Sequence, residues 1–271
     1  APDEAEATIR ASVTYLAGRA EVDADRIGVM GFSLGVPQVL LAATDPVIQG
    51  QVRGVAGFGG YGQLDRTIGF LFHGEHEWRG TVRRVDPDPY GRWIVGGNYL
   101  TLVPGHEDAG DVAEALLELA RQGGDSGIGS WEPRFDPVKR DLLKRIHPSR
   151  RRLFEAFAPP AGELPPREMG MDLAPALAKA AREAVPHSEP QTILDRINVP
   201  VRLVHGRGDR LIPFSESLRL AEAFPAKADV RVYLTNLFSH SHAETEGAGA
   251  GDVGEQLHFL RILTDLLTLV D

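Results

Sequence analysis

Short apolar runs that empty into glycine-rich loops, each followed by a stretch of helical periodicity, set the rhythm at both ends of this chain. Residues 27–30, 52–58, 199–205 and 230–235 are runs of the kind that buried parallel strands use. Around them the spacing predicts helices over 3–18, 34–44, 214–224 and 252–270. The first carries Ile9, Val13 and Leu16 at helical spacing, acidic residues in its first turn and Gly18 as a stop. Pro37 falls in the first turn of the second, where its missing N–H costs nothing. Between about 63 and 185 the alternation lapses. Gly/Ser-rich (122–130) and Pro-rich (158–166) stretches are interrupted there by helical segments at 111–121, 137–146, 150–157 and 173–184, with no internal repeat. The pattern predicts an α/β architecture, a mostly parallel sheet flanked by helices. Its core comes from residues 1–62 and 191–271, and 63–190 form an inserted, mainly helical cap.

Composition narrows the function classes. The 271 residues suffice for one large α/β domain with an insertion, and the net charge of −9 argues against nucleic acid and anionic membrane as partners. Without cysteine there is no disulfide framework and no thiolate metal site. No apolar run reaches the length of a membrane span, and the acidic N-terminus lacks the apolar core of a signal peptide, so a soluble, cytoplasmic protein is expected.

Candidate chemistry lies in the loops after the apolar runs. Gly31-Phe32-Ser33-Leu34-Gly35 fits the G-x-S-x-G nucleophile elbow. There a serine sits in a strained strand-to-helix turn, and flanking glycines let neighbouring backbone pass close. The following helix aims free N–H groups at a developing oxyanion, and Leu34 is expected to supply one. The run at 199–205 ends in His205-Gly206-Arg207-Gly208-Asp209, which puts a carboxylate at a strand's C-terminal end, where parallel sheets hold their chemistry. The last run leads into Ser239-His240-Ser241-His242-Ala243-Glu244.

Three other patterns are weaker. Gly57-Phe58-Gly59-Gly60-Tyr61-Gly62 matches the G-x-G-x-x-G dinucleotide fingerprint, but no amphipathic helix is expected to open on its third glycine, so a Gly-rich exit loop is the better reading. His73-Gly74-Glu75-His76-Glu77 lacks H-E-x-x-H spacing and reads as a polar surface loop. His240, His242 and Glu244 form the competing metal pattern. The expectation is no metal and no cofactor. Trp78, Tyr90, Trp93 and Tyr99 are aromatics of the insertion, read as its core ahead of a pocket lining.

The elbow, the run from His205 through Asp209 to Pro213, and the late histidine together resemble the α/β-hydrolase superfamily, of the esterase or dienelactone-hydrolase-like kind. The resemblance covers about 1–62 and 199–271. It implies an α/β-hydrolase fold and a serine hydrolase cleaving a carboxylic ester or related small acyl substrate through an acyl-enzyme. Ser33 would be the nucleophile, Asp209 the group fixing the imidazole tautomer, His240 the base (His242 the alternative), and Leu34 N–H one oxyanion donor. The chain departs from that family ahead of the elbow, where strands and a second oxyanion donor are expected. An open apolar strand edge is a pairing hazard. A missing N-terminal segment, a second copy of the chain, or residues 92–102 folding back are the expected covers. The alternative function is a non-catalytic or incomplete α/β-hydrolase-fold protein that serves as a binding module.

Overall fold

The structure, a computed structural model, describes residues 2–126, 129–237 and 253–271. In chain order its elements are α1 (Pro2–Ala17), β1 (Ile27–Phe32), α2 (Gly35–Ala42), β2 (Val52–Phe58), α3 (Leu64–His73), β3 (Glu75–Trp78), β4 (Thr81–Arg84), α4 (Pro89–Tyr99), α5 (Gly110–Ser126), α6 (Asp136–Arg145), α7 (Arg151–Phe157), α8 (Arg167–Ala184), β5 (Val201–Gly206), α9 (Ser215–Glu222), β6 (Val230–Thr235) and α10 (Val253–Leu267). They form two compact units, Ala1–Gln63 with Val185–Asp271, and Leu64–Ala184.

The first unit is built on a parallel sheet in the order β1-β2-β5-β6. The inner strands β2 and β5 read as near-continuous apolar runs because both of their faces are covered. One face packs Val55 and Leu203 with Val13 of α1, Val36, Val39 and Leu40 of α2, and Leu220 of α9. On the other, Ala56, Phe58 and Val204 meet Ile262 of α10. All three pairings are parallel, so loops leaving the strands' C-terminal ends share one edge of the sheet.

Arg202 is a charged residue buried in an inner strand, and two carboxylates hold it. Its guanidinium lies 2.5 Å from Asp265 and 3.1 Å from Asp229. Asp265, on α10, also accepts from Tyr233 Oη (2.7 Å) and from Arg231 (2.8 Å) of β6. Burial pushes the Asp265 carboxyl up, but those hydrogen bonds and the charges of Arg202 and Arg231 outweigh it and hold the group below its usual range. A depressed carboxyl contributes stability that is present above the unfolded value of about 3.9 and is lost as pH falls through the folded one. Urea midpoints followed from neutral to acid pH should therefore separate Asp265→Asn from wild type most at neutral pH. The gap should close below about pH 4. A gap independent of pH would remove the ion pairs as its cause.

In the second unit α3 packs against α8, and α4 against α5. An Asp65–Arg182 ion pair joins the beginning of α3 to the end of α8. Helix α4 starts where Asp88 accepts from Tyr90 N–H (3.0 Å) and Pro89 takes the first position. Trp93, fully buried, packs edge-on against Phe135 at 5.5 Å, so this aromatic is core. Residues 92–102 lie in α4 and a 3₁₀ turn at Leu100–Leu102. They supply no strand to β1, contrary to one expectation, because Trp93 and Leu100 are drawn into this unit's interior. Among the described residues β1 pairs with β2 alone.

The segment at 73–77 differs from expectation too. Residues 75–78 are β3, closed onto β4 by a turn with Arg79 at φ 49° and Gly80 at φ 78°. His73 Nδ1 accepts from Glu75 N–H (3.0 Å), and the His76 ring sits edge-on to Phe70.

Arg92, 1% exposed, donates to Leu71 O (2.6 Å) and Phe157 O (3.1 Å). Burial pulls its guanidinium down to about 10, opposed by the charge of Asp88. Arg92→Met fills much of the volume but orphans two buried carbonyls. It should cost about 2–3 kcal/mol in urea unfolding, and a loss below about 0.5 kcal/mol would mean those carbonyls find other donors.

Candidate active site

Ser33 follows β1 directly and stands at φ 52°, a left-handed conformation that costs a side-chain-bearing residue about 1–2 kcal/mol. The surroundings enforce it. Ser33 N–H continues the strand ladder to Phe58 O (2.8 Å), while Ser33 O already accepts from Val36 N–H (3.1 Å) at the start of α2. The chain must turn from strand to helix within one residue, and it passes so tightly that a Cβ on Gly31 would lie 2.4 Å from Gly35 O and 2.8 Å from Val39. The requirement is one-sided. A Cβ on Gly35 would meet nothing within 4 Å among the described residues, so only the first glycine of the motif is sterically demanded. Ser33 is half-buried. Leu34 lies at the start of α2, where the first N–H groups of a helix have no partner within it.

Two strands across, β5 delivers Asp209. Its side chain is wholly buried. Oδ1 accepts from Leu211 N–H (2.9 Å) and Ile212 N–H (3.0 Å), which fixes the carboxylate's direction. Oδ2 lies 3.2 Å from His205 Nε2. A strained serine at a strand–helix turn and a fixed carboxylate beyond the next strand but one, on the same edge of a parallel sheet, decide the architecture. The fold is that of an α/β-hydrolase.

His240 and His242, the expected bases, and Glu244 lie outside the described residues. The point from which their segment departs is well held. Glu255 of α10 accepts from Thr235 Oγ1 (2.7 Å) and Asn236 N–H (2.8 Å) at the end of β6, and these bonds hold its carboxyl below the usual range. Among the described residues no cluster of His, Asp and Glu is disposed to hold a metal ion. No helix among them is long and apolar enough to cross a membrane.

The glycine loop after β2 has an internal occupant. Helix α3 does open close to Gly62, against expectation, its buried Leu64, Ile68 and Leu71 recurring at helical spacing. Yet Gly62 N–H (3.2 Å) and Gln63 N–H (3.1 Å), donors that a phosphate would need, point at the carboxylate of Glu216, which is 1% exposed. A fixed carboxylate there repels phosphate and takes its hydrogen bonds. Gly60 is small because Val36 of the elbow helix abuts it; an added Cβ would come within 2.6 Å.

No protein-family model matches the chain, and neither does any curated protein sequence. Solved structures similar to it include the 2,6-dihydroxy-pseudo-oxynicotine hydrolase, at 16% identity over 89% of this chain and 43% of that one (TM-score 0.37). A Paleococcus ferrophilus monoacylglycerol lipase matches at 18% identity over 99% and 75% of the two chains (TM-score 0.39). An alpha/beta fold family hydrolase from Bacillus anthracis str. Sterne matches at 12% identity over 96% and 73% (TM-score 0.44). The chain spans less than half the length of the first. The chemistry of the site rests on its own geometry.

Proposed function

We propose that the protein is a serine hydrolase that cleaves a carboxylic ester or related acyl substrate. Ser33 is the nucleophile, Asp209 the acid member of its triad, and His240 the base, with His242 the alternative. The observation that carries this reading is Ser33 at φ 52°, a strained conformation at the strand-to-helix turn of the kind a nucleophile elbow uses.

On this reading the base takes the Ser33 hydroxyl proton as Oγ attacks the acyl carbonyl. The charge that develops on the carbonyl oxygen is met by Leu34 N–H. The base then returns the proton to the departing alkoxide, which leaves an ester on Ser33. Water, deprotonated by the same base, releases the acid and restores the serine. Asp209 is already held by two backbone N–H groups and needs no reorganisation to steady the imidazolium.

A fluorophosphonate probe with peptide mapping tests this. Ser33 should be the labelled residue, and His240→Ala should abolish labelling. Labelling that survives His240→Ala and disappears in His242→Ala moves the base two residues on. A folded protein that takes no label defeats the reading.

A further inference from the structure

Behind Asp209 lies a buried polar chain that the triad itself does not use. His205, at the end of β5, has no exposed surface. Its Nε2 is 2.9 Å from Ile212 O and 3.2 Å from Asp209 Oδ2, and its Nδ1 is 2.7 Å from Ser217 Oγ. A carbonyl oxygen can only accept, so Nε2 carries the ring proton that faces both Ile212 O and the carboxylate. Ser217 Oγ is also 3.4 Å from Gly60 O, in the loop after β2. One residue earlier on α9, Glu216 takes Gly62 and Gln63 N–H from that same loop. Gly60 in turn rests on Val36 of the elbow helix, and Phe58 O holds Ser33 N–H.

We infer that His205 is a positioning residue for Asp209, and that with Ser217 it sets the carboxylate's place relative to the nucleophile. The single Ser217 hydroxyl proton goes to the unprotonated Nδ1 at 2.7 Å, which fixes the ring tautomer and keeps Nε2–H toward Ile212 O and Oδ2. A packing role alone would not need it. An apolar side chain fills the end of an inner strand at less cost than a buried imidazole, which must have its partners satisfied. The first turn of α9 carries Ser215, Glu216 and Ser217, each no more than 2% exposed, where ordinary amphipathic periodicity would bury apolar residues. This inference rests on the acyl-hydrolase reading for its kinetic consequence and on geometry alone for the 3.2 Å His205–Asp209 contact.

The experiment has two arms. In the kinetic arm, ester turnover is measured per active site, with sites counted by fluorophosphonate titration, for His205→Leu, His205→Gln and Ser217→Ala. His205→Leu should lower kcat by about 10–100-fold with KM unchanged. His205→Gln, whose amide N–H can face the carboxylate, should recover most of that. Ser217→Ala should give an intermediate loss, and it keeps the test alive if His205→Leu does not fold. Unchanged kcat per site in Ser217→Ala, and in His205→Leu where it folds, with only a lower unfolding midpoint, overturns the inference and leaves a structural histidine.

The second arm is imidazole NMR with nitrogen-15 histidine. The wild type should show a slowly exchanging Nε2–H assigned to His205, displaced in Asp209→Asn. An Nδ1–H tautomer, or a signal indifferent to Asp209→Asn, overturns the inference without reference to activity. Failure of the probe to label Ser33 defeats the hydrolase reading instead, and the NMR arm then decides the His205–Asp209 contact by itself.

Discussion

Ser33→Ala is expected to abolish fluorophosphonate capture and to lower ester turnover by roughly 10⁴-fold or more, with the fold intact. Alanine keeps the Cβ and therefore the backbone strain at φ 52°. Its unfolding midpoint should match wild type, since the substitution removes one half-buried hydroxyl and leaves the backbone as it is. The sharper companion is Ser33→Gly. Glycine populates the left-handed region freely, so this variant should be as inactive as alanine yet more stable by about 0.5–1 kcal/mol, after allowance for its greater entropy when unfolded. Loss of activity with gain of stability is the signature of strain kept for function. If Ser33→Gly is instead less stable than wild type, the conformation is enforced by contacts that glycine cannot replace, and the strain argument for the nucleophile fails.

The largest stability effect should come from Gly31→Ala. The new methyl carbon would lie 2.4 Å from Gly35 O and 2.7 Å from Gly35 C, both backbone atoms, and 2.8 Å from a Val39 methyl. Val39 is 5% exposed and packed into the core between α2 and the sheet, so the elbow itself would have to open. A cost of about 3 kcal/mol or more is expected in chemical denaturation, together with loss of Ser33 labelling in any molecules that remain folded. Gly35→Ala is the control: its methyl has open space and should leave both stability and labelling close to wild type. Equal effects of the two substitutions would show that the elbow is looser than its geometry.

Much of this molecule is legible in the sequence, and the reason differs by region. The strands Val52–Phe58 and Val230–Thr235 fall where the apolar runs put them: the inner β2 has no polar face to blur its ends, and β6, at the end of the strand order, alternates Val230, Val232 and Leu234 with Arg231 and Tyr233. The elbow is readable because its turn needs a particular residue at a particular place, and Gly31 is that residue. Helix α3 was readable in principle from Leu64, Ile68 and Leu71, but the glycine loop just before it masks the onset. The β3–β4 hairpin was not readable: Glu75-His76-Glu77-Trp78 has no apolar alternation, and its pairing depends on the Arg79–Gly80 turn. What the sequence hides most completely is Glu216. Nothing local marks a glutamate in an amphipathic helix as the buried acceptor for a glycine loop more than a hundred residues away in the chain.

Strands β2 and β5 lie side by side, yet residues 59–200 separate them in the chain. During synthesis the first two strands must wait for their next neighbour for on the order of ten seconds at ordinary elongation rates. The Asp65–Arg182 ion pair and the packing of α3 on α8 change what that wait leads to. Once residues 64–184 have folded, the points where the chain enters and leaves them are held together. Closure of a very long loop becomes closure of a short one, so β5 reaches the ribosome's exit already tethered near the edge it must join. Weakening that ion pair should therefore slow refolding of the sheet more than it lowers stability at equilibrium.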